Sequence, residues 1–165
     1  MKAILISDHA KWCALMMNGD KTIEVRKGTA LYKATKKLID EYGYAEFYVY
    51  CTKGKEKLFQ TWTNSGKYTS IKINTPLSHN GKVIFKFRCY KVDKWDIWQE
   101  DLEEKLKLTC LSIKEFDDYS KGQVASAIHI SNLEIFDKPK ELKEFRKKYR
   151  SKGYPQNQRG RRHGT

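Results

Sequence analysis

The sequence predicts an α+β domain. Three stretches alternate apolar and polar residues at strand period, Thr22–Arg26, Ala45–Thr52 and Lys82–Val92. Three others, Ala10–Met17, Thr29–Tyr42 and Ser112–Ser120, repeat apolar residues at helical spacing, and the two kinds are interleaved along the chain. With 165 residues there is material for one well-packed core. We read a single domain over residues 1–150 and a basic C-terminal tail over 151–165, flexible unless bound.

The opening run Lys2–Ser7 is a short apolar strand expected to be buried on both faces. Asp8 is the expected N-cap of the first helix, whose stripe is Trp12, Leu15 and Met16 widened by Ala10, Cys13 and Met17. Asn18-Gly19 supplies a left-handed stop. The second helix places Leu31, Ala34, Leu38 and Ile39 on its apolar face and ends at Gly43. Next comes a strand with Phe47, Val49 and Cys51 on one side and Tyr48 and Tyr50 on the other. The segment from Lys53 to Asn80 breaks any long period; a hairpin around Asn64-Ser65-Gly66 is expected there, with Trp62 and Tyr68 as aromatic anchors.

The strand Lys82–Val92 sets Val83, Phe85, Phe87 and Cys89 against Lys86, Arg88 and Tyr90. Trp95 and Trp98 fall in a turn or short helix, suited to cover one end of the core or to stack on bases. Glu100–Leu108 is charged and helical or irregular, and Ser112 with Glu115 forms a capping box. Val124–Ile135 holds the expected last strand. Asp137 then caps a final helix with Pro139 in its first turn.

The formal net charge is +13, unevenly spread: from Lys138 to Thr165 there are 11 Lys plus Arg against 2 acids, a net of +9, which leaves +4 for the rest. A nearly balanced body with a basic end suits a polyanionic partner, nucleic acid foremost, with solubility or contact with anionic surfaces as alternatives. No apolar run approaches the roughly 20 residues that cross a bilayer, and the N-terminus lacks a signal-peptide core. The expectation is a cytoplasmic protein without a membrane partner. The four cysteines at 13, 51, 89 and 110 are far apart and form no Cys-x-x-Cys pair, so buried reduced thiols are expected rather than zinc or disulfides, and no metal or cofactor is predicted.

Chemistry concentrates between Asn18 and Lys27. On the motif strand Ile23 and Val25 share one face while Thr22, Glu24 and Arg26 share the other, a carboxylate beside a guanidinium. Strict alternation puts Lys21 opposite Glu24; the two meet if the strand begins after Lys21 or carries a bulge. A Glu-x-Arg pair on a polar face also serves as a structural ion pair. His129, alternating with Ile128 and Ile130, is either an acid or base facing a ligand or a structural histidine bonded to the backbone.

The pattern Gly19-Asp-Lys21-Thr-Ile-Glu24-Val-Arg26 resembles that of the ASCH domain, a branch of the PUA-like superfamily. Val49–Lys53, Gly81-Lys-Val83, Cys110–Glu115, Ile128–Leu133 and Asp137–Leu142 extend the resemblance, to small phage-associated and bacterial ASCH proteins, over roughly Lys2 to Phe145. It implies a small, mostly antiparallel β-barrel with helices packed at its openings and a cleft beside the motif strand. It also implies nucleic-acid binding, of RNA first or of a nucleotide. Lys21, Arg26 and Lys53 would hold phosphate, Tyr50 or Tyr90 would stack, Glu24 would read a base amino edge or hold Arg26, and His129 would face the ligand. Some relatives act as ribonucleases or as amidohydrolases of N-acylated cytidine. By that alternative Lys21, its pKa lowered by burial, and Glu24 would be catalytic, with Arg26 steadying developing negative charge. The amidohydrolase-like relatives carry a threonine three residues after the motif lysine. This chain has Glu24 there, leaving Thr22 as the substitute.

Overall fold

The computed structural model describes residues 2–60, 67–72 and 79–149. Strand β1 (Ala3–Asp8), helix α1 (Ala10–Met17), strand β2 (Ile23–Lys27), helix α2 (Ala30–Tyr42) and strand β3 (Ala45–Cys51) come first. Strands β4 (Glu56–Gln60) and β5 (Tyr68–Lys72) follow, then β6 (Lys82–Cys89) and β7 (Val92–Trp95). Helix α3 (Leu102–Leu106), a 3₁₀ turn at Lys107–Thr109, helix α4 (Ile113–Ser120), strands β8 (Ala125–His129) and β9 (Ser131–Lys140) and helix α5 (Leu142–Tyr149) complete the order.

The α+β class is as expected. The strands form hydrogen-bonded sheets in the orders β1-β3-β6-β9, β2-β8-β7 and β4-β5, so the described residues do not close into the one barrel that was anticipated. β1 runs parallel to β3, and the other pairs are antiparallel. Alternation along β3 buries Ala45, Phe47, Val49 and Cys51, and Phe47 stacks on its cross-strand partner Phe87 at 4.9 Å. A register shift in the β3–β6 ladder leaves Val83, Ile84 and Phe85 all buried in succession.

The sheet β2-β8-β7 has two covered faces. Ile23, Val25, Ala125, Ala127 and Trp95 pack with Leu102, Leu106 and Phe116 of α3 and α4. On the opposite face, Glu24 pairs with Ile128 and Ile128 with Val92, and both apolar members of that row belong to the main core. The motif strand thus alternates as read from the sequence, but its polar face turns inward.

Several expectations are corrected. β1 is an edge strand in which only Ile6 and Asp8 are buried. The N-cap of α1 is His9, without a side-chain bond, and Asp8 ends β1 instead. In α2 the buried positions are Thr35 and Leu38 while Ala34 is exposed. Trp95 ends β7 and is buried, whereas Trp98 is 88% exposed. The expected last strand is two strands in different sheets, divided at Ile130 beside Asn132, whose φ is 51°. β9 continues through Asp137 and Pro139, so the final helix begins later, at Leu142; a sheet edge tolerates the missing proline N–H. The capping box at Ser112 and Glu115 is present. The 58–73 hairpin pairs as expected in β4 and β5, while Trp62 and the turn at 64–66 lie outside the described residues, as does the 151–165 tail. No helix among the described residues is long and apolar enough to cross a membrane.

Asn18 fastens the hairpin to α1: its Nδ2 donates to the Tyr68 carbonyl at 2.8 Å and its Oδ1 accepts from Tyr68 N at 2.7 Å. Asn18→Ala should therefore cost about 1–3 kcal/mol in urea denaturation and speed amide exchange in β4 and β5.

Candidate functional site

Four ionisable side chains, Asp8 of β1, Lys21 of the turn after α1, and Glu24 and Arg26 of β2, meet where the end of β1 faces β2. After α1, Gly19 adopts a φ of 82°, and the N–H groups of Asp20 and Lys21 both donate to the Leu15 carbonyl, at 2.9 and 3.0 Å. This turn delivers Lys21 just ahead of β2. Because the strand begins at Ile23, Lys21 is released from its alternation, which resolves the facing problem posed by the sequence. Lys21 is 2% exposed; its Nζ donates to the Thr109 carbonyl at 2.8 Å, lies 3.4 Å from Glu24 Oε1 and sits 5.0 Å from the Trp12 ring centroid.

Glu24, 3% exposed, is held from several directions. Oε1 accepts from Val25 N at 3.2 Å and Oε2 accepts from Arg26 Nη2 at 3.0 Å. The same Nη2 donates to the Ser7 carbonyl at 2.8 Å and stands 2.9 Å from Asp8 Oδ2. An Nη carries two hydrogens, and both are used on Ser7 and Glu24. Asp8 Oδ2 is left in ion-pair range of Arg26 without receiving either of those hydrogens, although Asp8 is only 9% exposed.

Burial and the facing Glu24 carboxylate push the Asp8 carboxyl well above the usual range, against the pull of Arg26 and Lys21. Glu24 goes the other way: burial opposes its charge, but the Asp8 hydrogen bond and the Arg26 and Lys21 cations outweigh it and hold its pKa down to about 2. Burial disfavours the Arg26 cation too, and the two carboxyls more than offset this and raise its pKa. The pair titrates as a unit in which Glu24 carries the charge and Asp8 keeps the proton longer.

These groups line a cavity of about 280 Å³, with Trp12 and Tyr119 among its walls. Its size suits one small polar ligand or one unit of a polymer. Tyr119 is fixed at the end of β2, its hydroxyl accepting from Lys27 N at 3.3 Å.

The structure brings together Lys21, Glu24 and Arg26. It does not bring the other sequence candidates to their cavity. Tyr50 is half-buried on β3 opposite Val83, and the exposed Lys53 lays its stem against Gly81. Tyr90 is 47% exposed and lies 5.8 Å from Tyr44. His129 Nε2 lies 2.8 Å from Asp93 Oδ2, and the backbone N–H of His129 donates to the Lys91 carbonyl. Asp8, Trp12 and Tyr119 are the lining residues the sequence does not single out: Tyr119 is remote from the motif in sequence, and Asp8 and Trp12 have adequate local explanations as a cap and a core residue. All four cysteines are free, and three are buried.

No protein-family model matches the chain, and no curated protein matches it in sequence. Among solved structures it is similar to ASCH from Zymomonas mobilis, at a TM-score of 0.52 and 15% identity over 87% of this chain and 76% of that one. Two point mutants of that protein match at a TM-score of 0.54 and 16% identity, covering 87% and 89% of this chain and 76% and 81% of theirs. At such identity the likeness establishes the fold: this chain has an ASCH-domain fold.

The Glu24 shift sets a pH dependence. Its folded pKa lies below its usual 4.5, so its contribution is complete above that value and is lost as the pH falls toward about 2. Glu24→Gln should accordingly lose about 3 kcal/mol near neutrality, with the gap from wild type closing in acid, as read by urea denaturation across pH.

Proposed function

We propose that this ASCH-domain chain binds nucleic acid, RNA in particular, by admitting one nucleotide to the cavity beside Lys21, Glu24 and Arg26. The observation that carries the reading is the placement of Arg26. Its side chain is 25% exposed at the cavity. Among the described residues its Nη2 alone has hydrogen-bond partners, so Nε and Nη1 remain as donors for a phosphate or a base edge. Trp12 and Tyr119 supply aromatic walls against which a base can lie, in place of the Tyr50 and Tyr90 expected from sequence. Glu24, saturated by Lys21, Arg26 and Val25, positions the cations and does not read the base. The net charge of +13 adds attraction that is blind to sequence.

A metal-independent hydrolase is the second reading, favoured by the burial of Lys21 beside Glu24 in the same cavity. Thr22, which would have to act as nucleophile in an amidohydrolase of N-acylated cytidine, is not part of the cavity lining, so this reading leans toward proton transfer by Lys21 and Glu24.

Fluorescence anisotropy with single-stranded RNA should show affinity falling steeply with added salt, and removal of residues 151–165 should flatten that slope. Arg26→Lys keeps the charge but not the fork and should weaken binding by about tenfold or more. Salt-independent or undetectable binding refutes the reading. Turnover of RNA or N-acetylcytidine that disappears in both Lys21→Met and Glu24→Gln would establish the hydrolase instead.

A further inference from the structure

We propose that the cavity beside Arg26 adjoins a second seat, that Lys11 and Lys55 hold the next phosphate of the strand there, and that the ligand is therefore an oligonucleotide and not a free nucleoside or mononucleotide. The inference rests on the nucleic-acid reading above and deepens it, from one nucleotide to a run of linked ones.

The second cavity has a volume of about 330 Å³, close to that of the first. Three residues, His9, Trp12 and Thr52, line both, so the two spaces share a wall. His9 Nδ1 and Thr52 Oγ1 lie 3.2 Å apart along it. The Trp12 ring has a cation from each side of the pair against it: Lys21 Nζ, of the first cavity, stands 5.0 Å from the ring centroid and Lys11 Nζ, of the second, 4.7 Å. Adjoining spaces of similar size suit consecutive units of one polymer, whereas a mononucleotide occupies the first and leaves the second empty.

The second seat has the cations that a phosphate needs. Lys11 comes from α1 and Lys55 from the connection between β3 and β4, and both are exposed. Among the described residues neither makes a hydrogen bond or an ion pair, and the contact of Lys11 is with the Trp12 ring. Lys57, by contrast, is committed, its Nζ donating to the Gly54 carbonyl at 3.0 Å. Glu56 brings a carboxylate to the same lining, where its Oε2 accepts from Ser70 Oγ at 3.4 Å, so two lysines stand against one acid. Gly54 has no atom within 4 Å of where a Cβ would stand, which leaves that side unfilled. Lysines hold phosphate as point charges, so this seat fixes the path of the strand and carries no base preference.

The test uses the full chain and three adenylates, AMP, ADP and the dinucleotide pApA, titrated by calorimetry over a range of salt. The wild type should bind pApA about tenfold more tightly than AMP, because charge-assisted contacts to one more phosphate are gained. The slope of log affinity against log salt should be steeper for pApA by about 0.7. Lys11→Gln with Lys55→Gln should bring the ratio of the two affinities back toward one. Lys33→Gln with Lys37→Gln removes the same charge from exposed positions of α2 that line neither cavity, and should preserve the ratio. Four results overturn the proposal while leaving RNA binding intact: pApA binding no more tightly than AMP; ADP matching pApA, which puts a second phosphate of the same nucleotide in the seat; a ratio that survives Lys11→Gln with Lys55→Gln; or a ratio lost equally in both double variants, which assigns the gain to net charge. Failure of the wild type to bind AMP, pApA and a longer single-stranded RNA overturns the nucleic-acid reading along with it.

Discussion

The burial of Glu24 between Lys21 and Arg26 is the constraint around which this end of the molecule is built. A carboxylate withdrawn from water costs several kcal/mol unless cations and hydrogen bonds replace its hydration. Here two cations and a backbone N–H do so, and each needs its own support. Lys21 is anchored by the Thr109 carbonyl, and Arg26 by the Ser7 carbonyl. The end of β1, the turn after α1 and the turn after α3 are thereby tied to one strand. A change at any of them would be felt at the carboxylate.

That strand can bear the arrangement because both its faces are covered. Ile23 and Val25 are locked into the apolar layer formed with Trp95, Leu102, Leu106 and Phe116, which fixes the backbone on which the charged residues stand. Glu24 occupies one end of a cross-strand row otherwise filled by Ile128 and Val92. An apolar residue would suit that position for packing alone, so an ionised one there points to a role other than stability. At the cavity wall, Lys21, Glu24 and Arg26 are held by one another and by the Thr109 and Ser7 carbonyls.

Electrostatics acts on two scales. At the site, the cations of Lys21 and Arg26 face the carboxyls of Asp8 and Glu24. Over the whole chain the excess is +13, much of it beyond Lys138. Distributed charge of this kind acts at long range and is screened by salt, whereas Lys21 and Glu24 in the compact cluster are shielded from solvent.

Helices and strands are legible in the amino-acid order wherever a long period runs without interruption, as in α2, β3 and β6, and so is the motif strand with its apolar and polar faces. Alternation and helical spacing are local properties, and those elements obey them. The start of the last helix and the role of Asp8 are not legible there. Asp137 before Pro139 reads as a helix start until β6 is there to pair with it, and an aspartate ahead of an apolar stripe reads as a cap until Arg26 arrives from another strand. The partners of Lys21 and Arg26, the carbonyls of Thr109 and Ser7, have no side-chain signature at all. It takes the folded chain to turn the polar face of the motif strand inward, to bring its charges to an aspartate from the sheet edge, and to set Tyr50, Lys53, Tyr90 and His129 outside the cavity lining. The reason is that burial and pairing depend on which segments come to face each other, and no periodicity within one segment encodes its neighbour.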